Sequence, residues 1–189
     1  MSKPTLQVIA VSTRPGRKGI HVARWVESVA REHGTFEVAL TDLAEVNLPI
    51  FDEPNHPRLR QYTKDHTKKW SAIVDAADAF VFVAPEYNYS MVPSLVNAVD
   101  YLLHEWKYKA AGIVAYGGIS GGLRAAQMAK QLLTAVGVMP AGDVPIAMFT
   151  QLFAADGTFV GNEALTKSAT AMLDEVGKWA VATKTIRKG

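Results

Sequence analysis

Strand-like and helix-like segments alternate about five times along this chain, and that alternation constrains its fold more than any other feature. Leu6–Val11 (LQVIAV) is a continuous apolar run bounded by Ser12 and Pro15, the pattern of a strand buried on both faces. Over Ile20–His33, Val22, Trp25, Val26, Val29 and Ala30 recur at helical spacing, and Gly34 stands where a helix-ending glycine belongs. Phe36–Leu40 reads as a second strand. Asp42–Arg58, with prolines at 49, 54 and 57, reads as an extended connection into a helix over Gln61–Ala77. Ala79–Ala84 (AFVFVA) is the strongest strand signal. A helix over Ser94–Glu105, a strand over Gly112–Tyr116 and a helix over Leu123–Val136 follow. A weaker extended segment, Asp143–Met148, and a final helix over Ala164–Ala180 complete the pattern.

Such alternation requires right-handed crossovers and a parallel sheet between two helix layers. Five strands fit a flavodoxin-like α/β three-layer sandwich of order 2-1-3-4-5. With 189 residues, 49% of them hydrophobic, residues 1–189 read as a single domain with room for one sizeable core. The chain contains no cysteine, which excludes disulfides, thiolate-held metals and thiol nucleophiles. Twenty Lys and Arg against eighteen Asp and Glu give a net charge of +2, well short of a nucleic-acid-binding footprint. The basic tail Lys184, Arg187 and Lys188 reads as a solvated terminus. The first apolar run is too short for a signal-peptide core and leads into Arg14 and Arg17, and no run spans a membrane. A cytoplasmic protein without membrane or nucleic-acid partners is expected.

In this topology ligands bind beyond the C-terminal ends of the strands, so the loops after strands one, three and four should form one surface. The first loop, Ser12-Thr13-Arg14-Pro15-Gly16-Arg17-Lys18-Gly19, runs into a helix at Ile20. Hydroxyls, cations, glycines and a helix N-terminus suit a phosphate. Neither a Walker A sequence nor G-x-G-x-x-G is present, so a mononucleotide phosphate fits better than a dinucleotide. The second loop, Pro85-Glu86-Tyr87-Asn88-Tyr89-Ser90, offers flat rings and an amide for a planar heteroaromatic group. Glu86 has no partner carboxylate in sequence and reads as structural.

The third loop, Gly117-Gly118-Ile119-Ser120-Gly121-Gly122, leaves backbone N–H groups open to close approach. It also matches the G-x-S-x-G nucleophile elbow. A serine hydrolase using Ser120 needs a histidine after the serine in its usual order, yet all five histidines precede it. His104 in a non-standard triad is the remaining form of that reading. The histidines lack metal-ligand spacing, so no metal is expected.

Three stretches, STRPGRKG at 12–19, ADAFVFVAPEYNYSMVPSLVNAVD at 77–100 and GGISGGLRAA at 117–126, resemble the NADPH-dependent FMN reductase family. That family includes quinone, azo-dye and chromate reductases. The resemblance implies FMN, with its phosphate at Ser12, Thr13, Arg14, Arg17, Gly19 and Ile20. It puts the isoalloxazine against Pro85, Glu86, Tyr87, Asn88, Tyr89 and Ser90, with Gly117, Gly118, Ser120 and Gly121 on the third side. NAD(P)H as hydride donor, a small-molecule electron acceptor and a homodimer or homotetramer are implied likewise. Three positions depart from the pattern: Val96 replaces a usual lysine, Tyr89 a small residue, and Arg17 a common serine. A flavodoxin-type electron carrier is the alternative reading, although such carriers usually present a strongly acidic face. No residue is singled out as the catalytic proton donor.

Overall fold

The computed structural model describes residues 3–187. Five parallel strands, β1 (Thr5–Ala10), β2 (Glu37–Asp42), β3 (Ala79–Pro85), β4 (Ala110–Tyr116) and β5 (Met139–Ile146), form one sheet of order β2-β1-β3-β4-β5. The flavodoxin-like order expected from the alternation is the order observed. β3 and β4 are buried along their whole length, because each lies between two neighbours and under both helix layers. β2 is an edge strand, and its exposure alternates.

Helices α1 (Gly19–His33) and α6 (Glu163–Arg187) cover one face, where Val22, Val26, Leu173 and Val176 meet Val8, Val81 and Val114. Helices α3 (Asp65–Asp75), α4 (Pro93–Asp100) and α5 (Leu123–Ala135) cover the other. There Trp70, Leu95, Val99 and Leu133 pack on Phe80, Phe82 and Ile113. A one-turn helix, α2 (Leu43–Val46), and a 3-10 turn at Pro57–Leu59 interrupt the connection read as extended.

β5 runs Met139–Ile146 rather than Asp143–Met148, and among the other element ends that differ from the periodicity three do so for a polar reason. α4 stops at Asp100 rather than Glu105. Past Tyr101 the chain turns so that Trp106 packs on Phe80 and Trp70, its indole N–H donating to the Val99 carbonyl at 3.1 Å. The same turn buries the Glu105 carboxylate where Tyr62 and Ser71 donate to it at 2.9 and 2.7 Å. α3 begins at Asp65 because the buried Glu53 carboxylate accepts the N–H groups of Thr63 and Lys64 just ahead of it. α6 continues to Arg187, which corrects the reading of the tail as solvated. Lys184 and Arg187 reach Asp78 at 2.9 and 2.6 Å, and Arg187 also donates to the Tyr108 carbonyl. Lys188 lies outside the described residues.

Glu53 gives this part of the fold a measurable acid dependence. Burial alone would raise its pKa, but the Thr63 and Lys64 N–H groups and the Thr63 hydroxyl outweigh burial and hold it at about 2. The stabilisation from its charge is therefore complete above the ordinary carboxyl value and is lost as pH falls toward 2. Glu53→Gln is expected to lower the unfolding free energy at pH 7 by roughly 1.5–3 kcal/mol, the scale of hydrogen bonds to a charged group. In urea titrations the gap between variant and parent should close as pH falls below about 4.5. A gap unchanged at low pH would assign the loss to packing instead.

Candidate functional site

The C-terminal ends of β1, β3 and β4 are neighbours, so the three loops that follow them meet along one edge of the sheet. Leu6 to Ala10 of β1 pair with Ala79 to Val83 of β3, and this register delivers Ser12 and Tyr87 to the same level. The Ser12 and Tyr87 hydroxyls lie 2.9 Å apart in a hydrogen bond. Ser12 is only 2% exposed and faces inward, whereas Thr13 and Arg14 face solvent.

Tyr116, the last residue of β4, completes this floor. Its buried ring packs at a tilt on Phe149 with centroids 4.8 Å apart, and its hydroxyl sits beside Ser12 beneath Gly19. A Cβ on Gly19 would overlap that hydroxyl and come within 3.1 Å of the ring carbon bearing it. Glycine at the first position of α1 is therefore a packing requirement imposed from below. Sequence reading placed Gly19 at the phosphate loop but missed Tyr116, whose partner is a hundred residues away; the only sequence signal was a tyrosine ending a buried strand.

Above this floor the start of α1 is open. No acidic side chain lies in its first turn and no side chain caps it. Among the described residues, the N–H groups of Lys18, Gly19 and Ile20 have no protein acceptor. Gly16, at φ +71°, has nothing within 4 Å of where a Cβ would stand. Unpaired N–H groups at a helix N-terminus, with Arg14 and Lys18 beside them, are the donor set a phosphate needs. Arg17 is engaged differently: its guanidinium is ion-paired with the buried Asp42 carboxylate at the end of β2. Ile20 packs its side chain on the α1–α6 core.

The second loop is built around Glu86. Its side chain is 7% exposed, accepts a hydrogen bond from Ser120 at 2.9 Å, and pairs with Arg124 at 3.1 Å. The backbone N–H groups of Arg124 and Ala125, at the start of α5, donate to its other oxygen at 3.0 and 3.4 Å. Burial would raise this carboxyl's pKa; the hydrogen bonds from Ser120, Arg124 and the helix N-terminus hold it below the ordinary range. It stays charged and ties the second loop to the third. Arg124 was not singled out from sequence, where nothing links position 124 to position 86.

Beyond Glu86 the chain reverses in a two-residue turn, with mutual hydrogen bonds between Tyr87 and Ser90 at 3.0 and 2.9 Å. Asn88 and Tyr89 both have positive φ, 50° and 64°, as the hairpin-type turn demands. Pro85 is buried at the end of β3, while Ser90 lines a groove of about 870 Å3 with Thr13, Met91, Val96, Asn97 and Phe51.

The glycines of the third loop divide by role. Gly122 approaches the Tyr116 backbone, and Gly121 packs against Pro145 and Ala147, where a side chain would collide. The Gly121 N–H is used by the Gly118 carbonyl, and the Gly117 N–H by that of Ile146. Gly118 alone among these four faces open space. The Ser120 hydroxyl donates to Glu86, while the His104 imidazole is bonded to the Arg58 carbonyl at 2.8 Å, so the two are held by different partners.

A loop that presents free N–H groups and cations, set beside an aromatic loop on a flavodoxin-like sheet, has the donors and flat rings that a mononucleotide would need. The family described as NADPH-dependent FMN reductase matches residues 4–151, most of the chain. The chain belongs to that family. It is 36% identical over 133 residues to an NAD(P)H-dependent FMN reductase of a Nectria species, covering 67% of this chain and 66% of that protein. A Schizosaccharomyces pombe protein of the same description is 39% identical over 127 residues, covering 66% and 64%. The alignments thus span just under two thirds of these relatives. Among solved structures, a flavoenzyme NAD(P)H:(acceptor) oxidoreductase from Paracoccus denitrificans shares the fold, with a TM-score of 0.73 at 21% identity over 95% of this chain and 98% of that one.

The floor of the site makes a direct test possible. Gly19→Ala should destabilise the protein by about 1–3 kcal/mol, the usual cost of overpacking. Adding Tyr116→Phe, which removes the overlapping hydroxyl, should recover part of that loss. Chemical denaturation of the two single variants and the double variant checks both statements; strictly additive losses would mean the two positions do not collide.

Proposed function

We propose that this protein is an FMN-dependent NAD(P)H oxidoreductase. The carrying observation is the juxtaposition of unpaired N–H groups and of Arg14 and Lys18, the latter with its ammonium over the Phe153 ring, at the start of α1 with the aromatic turn at 87–90 and the open backbone at Gly118. Residues 1–189 would act as a single FMN-binding domain, in the cytoplasm. Bound FMN would supply the redox chemistry, accepting a hydride from NAD(P)H and passing the two electrons to an acceptor such as a quinone, azo compound, free flavin or metal ion.

The chain's own part is binding, orientation and electrostatics. Arg14, Lys18 and the N–H groups of Lys18, Gly19 and Ile20 would hold the phosphate, with Thr13 at the loop's open side. Ser12 supports the loop from beneath through its hydrogen bond with Tyr87. Asn88 and Ser90 would meet the polar edge of the isoalloxazine, and the Gly118 backbone would border its third side. Glu86 holds Ser120 and α5 in place rather than moving protons, since its depressed pKa and four hydrogen bonds keep it ionised. Arg17, neutralised by Asp42, would brace the phosphate loop against the end of β2 rather than contribute a free charge to it. A homodimer or homotetramer agrees with the family resemblance, and the exposed apolar side chains Ile50, Phe51 and Met128 beside the groove offer it a surface.

The visible spectrum of the purified protein with added FMN, before and after anaerobic NADPH or NADH, tests this reading. Bound oxidised flavin that bleaches rapidly is the expected result. Bound flavin that stays oxidised would move the assignment to an electron carrier, and absence of flavin binding would overturn both. Arg14→Ala should weaken FMN binding by roughly 1.5–3 kcal/mol, the scale of a hydrogen bond to a charged group. The Ser120 hydroxyl, committed to Glu86, is not expected to support ester hydrolysis; an esterase activity abolished by Ser120→Ala would contradict this.

A further inference from the structure

Tyr89 occupies a position that costs a bulky residue conformational energy. A left-handed φ of 64° favours glycine or asparagine, and the next residue back, Asn88, already uses the other positive φ of the turn. The Tyr87–Ser90 hydrogen bonds close the turn, and one charged contact positions the ring itself. The Arg124 guanidinium lies over the Tyr89 ring, 4.1 Å from its centroid, and is itself anchored through Nη1 to Glu86. The ring is nevertheless 70% exposed, so its second face is turned to solvent. The Arg124 side chain is 50% exposed, and among the described residues its guanidinium has no hydrogen-bond partner other than Glu86.

The result is a flat π face and an unspent guanidinium edge, fixed side by side at the rim of the candidate site. The cations are also separated along that rim. Arg14 and Lys18 flank the start of α1, Arg17 is neutralised by Asp42, and Arg124 stands at the opposite loop, on α5. A flavin phosphate held at α1 would leave Arg124 free for a second anion.

We propose that the Tyr89–Arg124 stack is the docking site for the adenosine half of the nicotinamide donor, the adenine ring lying on the outer face of Tyr89 and an adjacent phosphate oxygen on the free edge of Arg124. This rests on the reductase reading above and adds the residues that would select a dinucleotide over a smaller hydride donor. Arg124 suits the task because a guanidinium can stack on one ring and bind an oxyanion through its edge at the same time.

The test compares NADPH and NADH with dihydronicotinamide riboside, a donor that lacks phosphate and adenosine. In FMN-loaded protein, Arg124→Ala and Tyr89→Ala should each cut the preference for NADPH over the riboside, read as the ratio of KM values, about tenfold, the scale of one charged contact. Tyr89→Phe, which keeps the ring, should restore it. Calorimetric binding of NADP+ should weaken in parallel in the two alanine variants. In the parent protein the preference should shrink as salt is raised, because the contact is exposed.

An unchanged KM ratio in both alanine variants would overturn the proposal. So would loss of bound FMN from either variant, seen in the flavin spectrum, since it would make the pair part of the flavin platform. A parent protein that binds FMN but oxidises neither donor refutes the reductase reading itself, an outcome distinct from failure of the docking site alone.

Discussion

A single buried carboxylate, Glu86, joins the pieces of the candidate site, and the arrangement around it follows from the cost of burying its charge. An ionised carboxylate withdrawn from water must be compensated by donors. Here the donors come from the Ser120 hydroxyl, the Arg124 guanidinium and two N–H groups at the positive end of α5. Because they belong to a different loop and helix, satisfying Glu86 fixes the third loop against the second. Arg124, once held, fixes the ring of Tyr89 in turn. The site's aromatic rim therefore depends on an electrostatic requirement several residues away from it.

A second constraint acts from below. Ser12, Tyr87 and Tyr116 follow or end three adjacent strands; the Ser12 and Tyr87 hydroxyls are hydrogen-bonded, and the buried Tyr116 hydroxyl sits beside them under the start of α1. Buried hydroxyls demand partners, and the Ser12–Tyr87 bond ties the end of β1 to the loop after β3. Gly19 then lets the helix descend onto the Tyr116 hydroxyl. This leaves the upper side of the loop, with its unpaired N–H groups, facing outward. Inward-facing groups satisfy one another, and the outward-facing ones remain available to a ligand.

The alternation of buried runs with amphipathic stretches was enough to read the sheet order, since both helix layers and all five strands carry their own periodicity. Loop positions followed from the topology, so the stretches at 12–19, 85–90 and 117–122 were legible as one surface. Element ends were not. The helical spacing of Leu95, Val99, Leu102 and Leu103 continues past Asp100, yet α4 stops because Glu105 and Trp106 find better partners in a turn. Lys184 and Arg187 looked like a solvated tail because Asp78, which clamps them, is more than a hundred residues away. Shorter separations hid Arg124 from Glu86, 38 residues away, and Tyr116 from Gly19 in the same way. Composition marks which residues can bear charge or a ring, but only the register of the sheet decides which of them meet.

That distinction bears on why the site carries so few groups suited to acid–base work. Its ionisable residues are spent on one another: Glu86 on Arg124 and α5, Arg17 on Asp42. A side chain committed in this way makes a poor proton carrier, but it makes a rigid frame, and rigidity is what an active surface needs when a cofactor supplies the reactivity. The cations left over, Arg14, Lys18 and one edge of Arg124, stand at opposite ends of the three-loop surface. Two separated positive poles with an aromatic turn between them suit a pair of anionic ligands that meet through their planar rings. A single small substrate would have no use for the second pole.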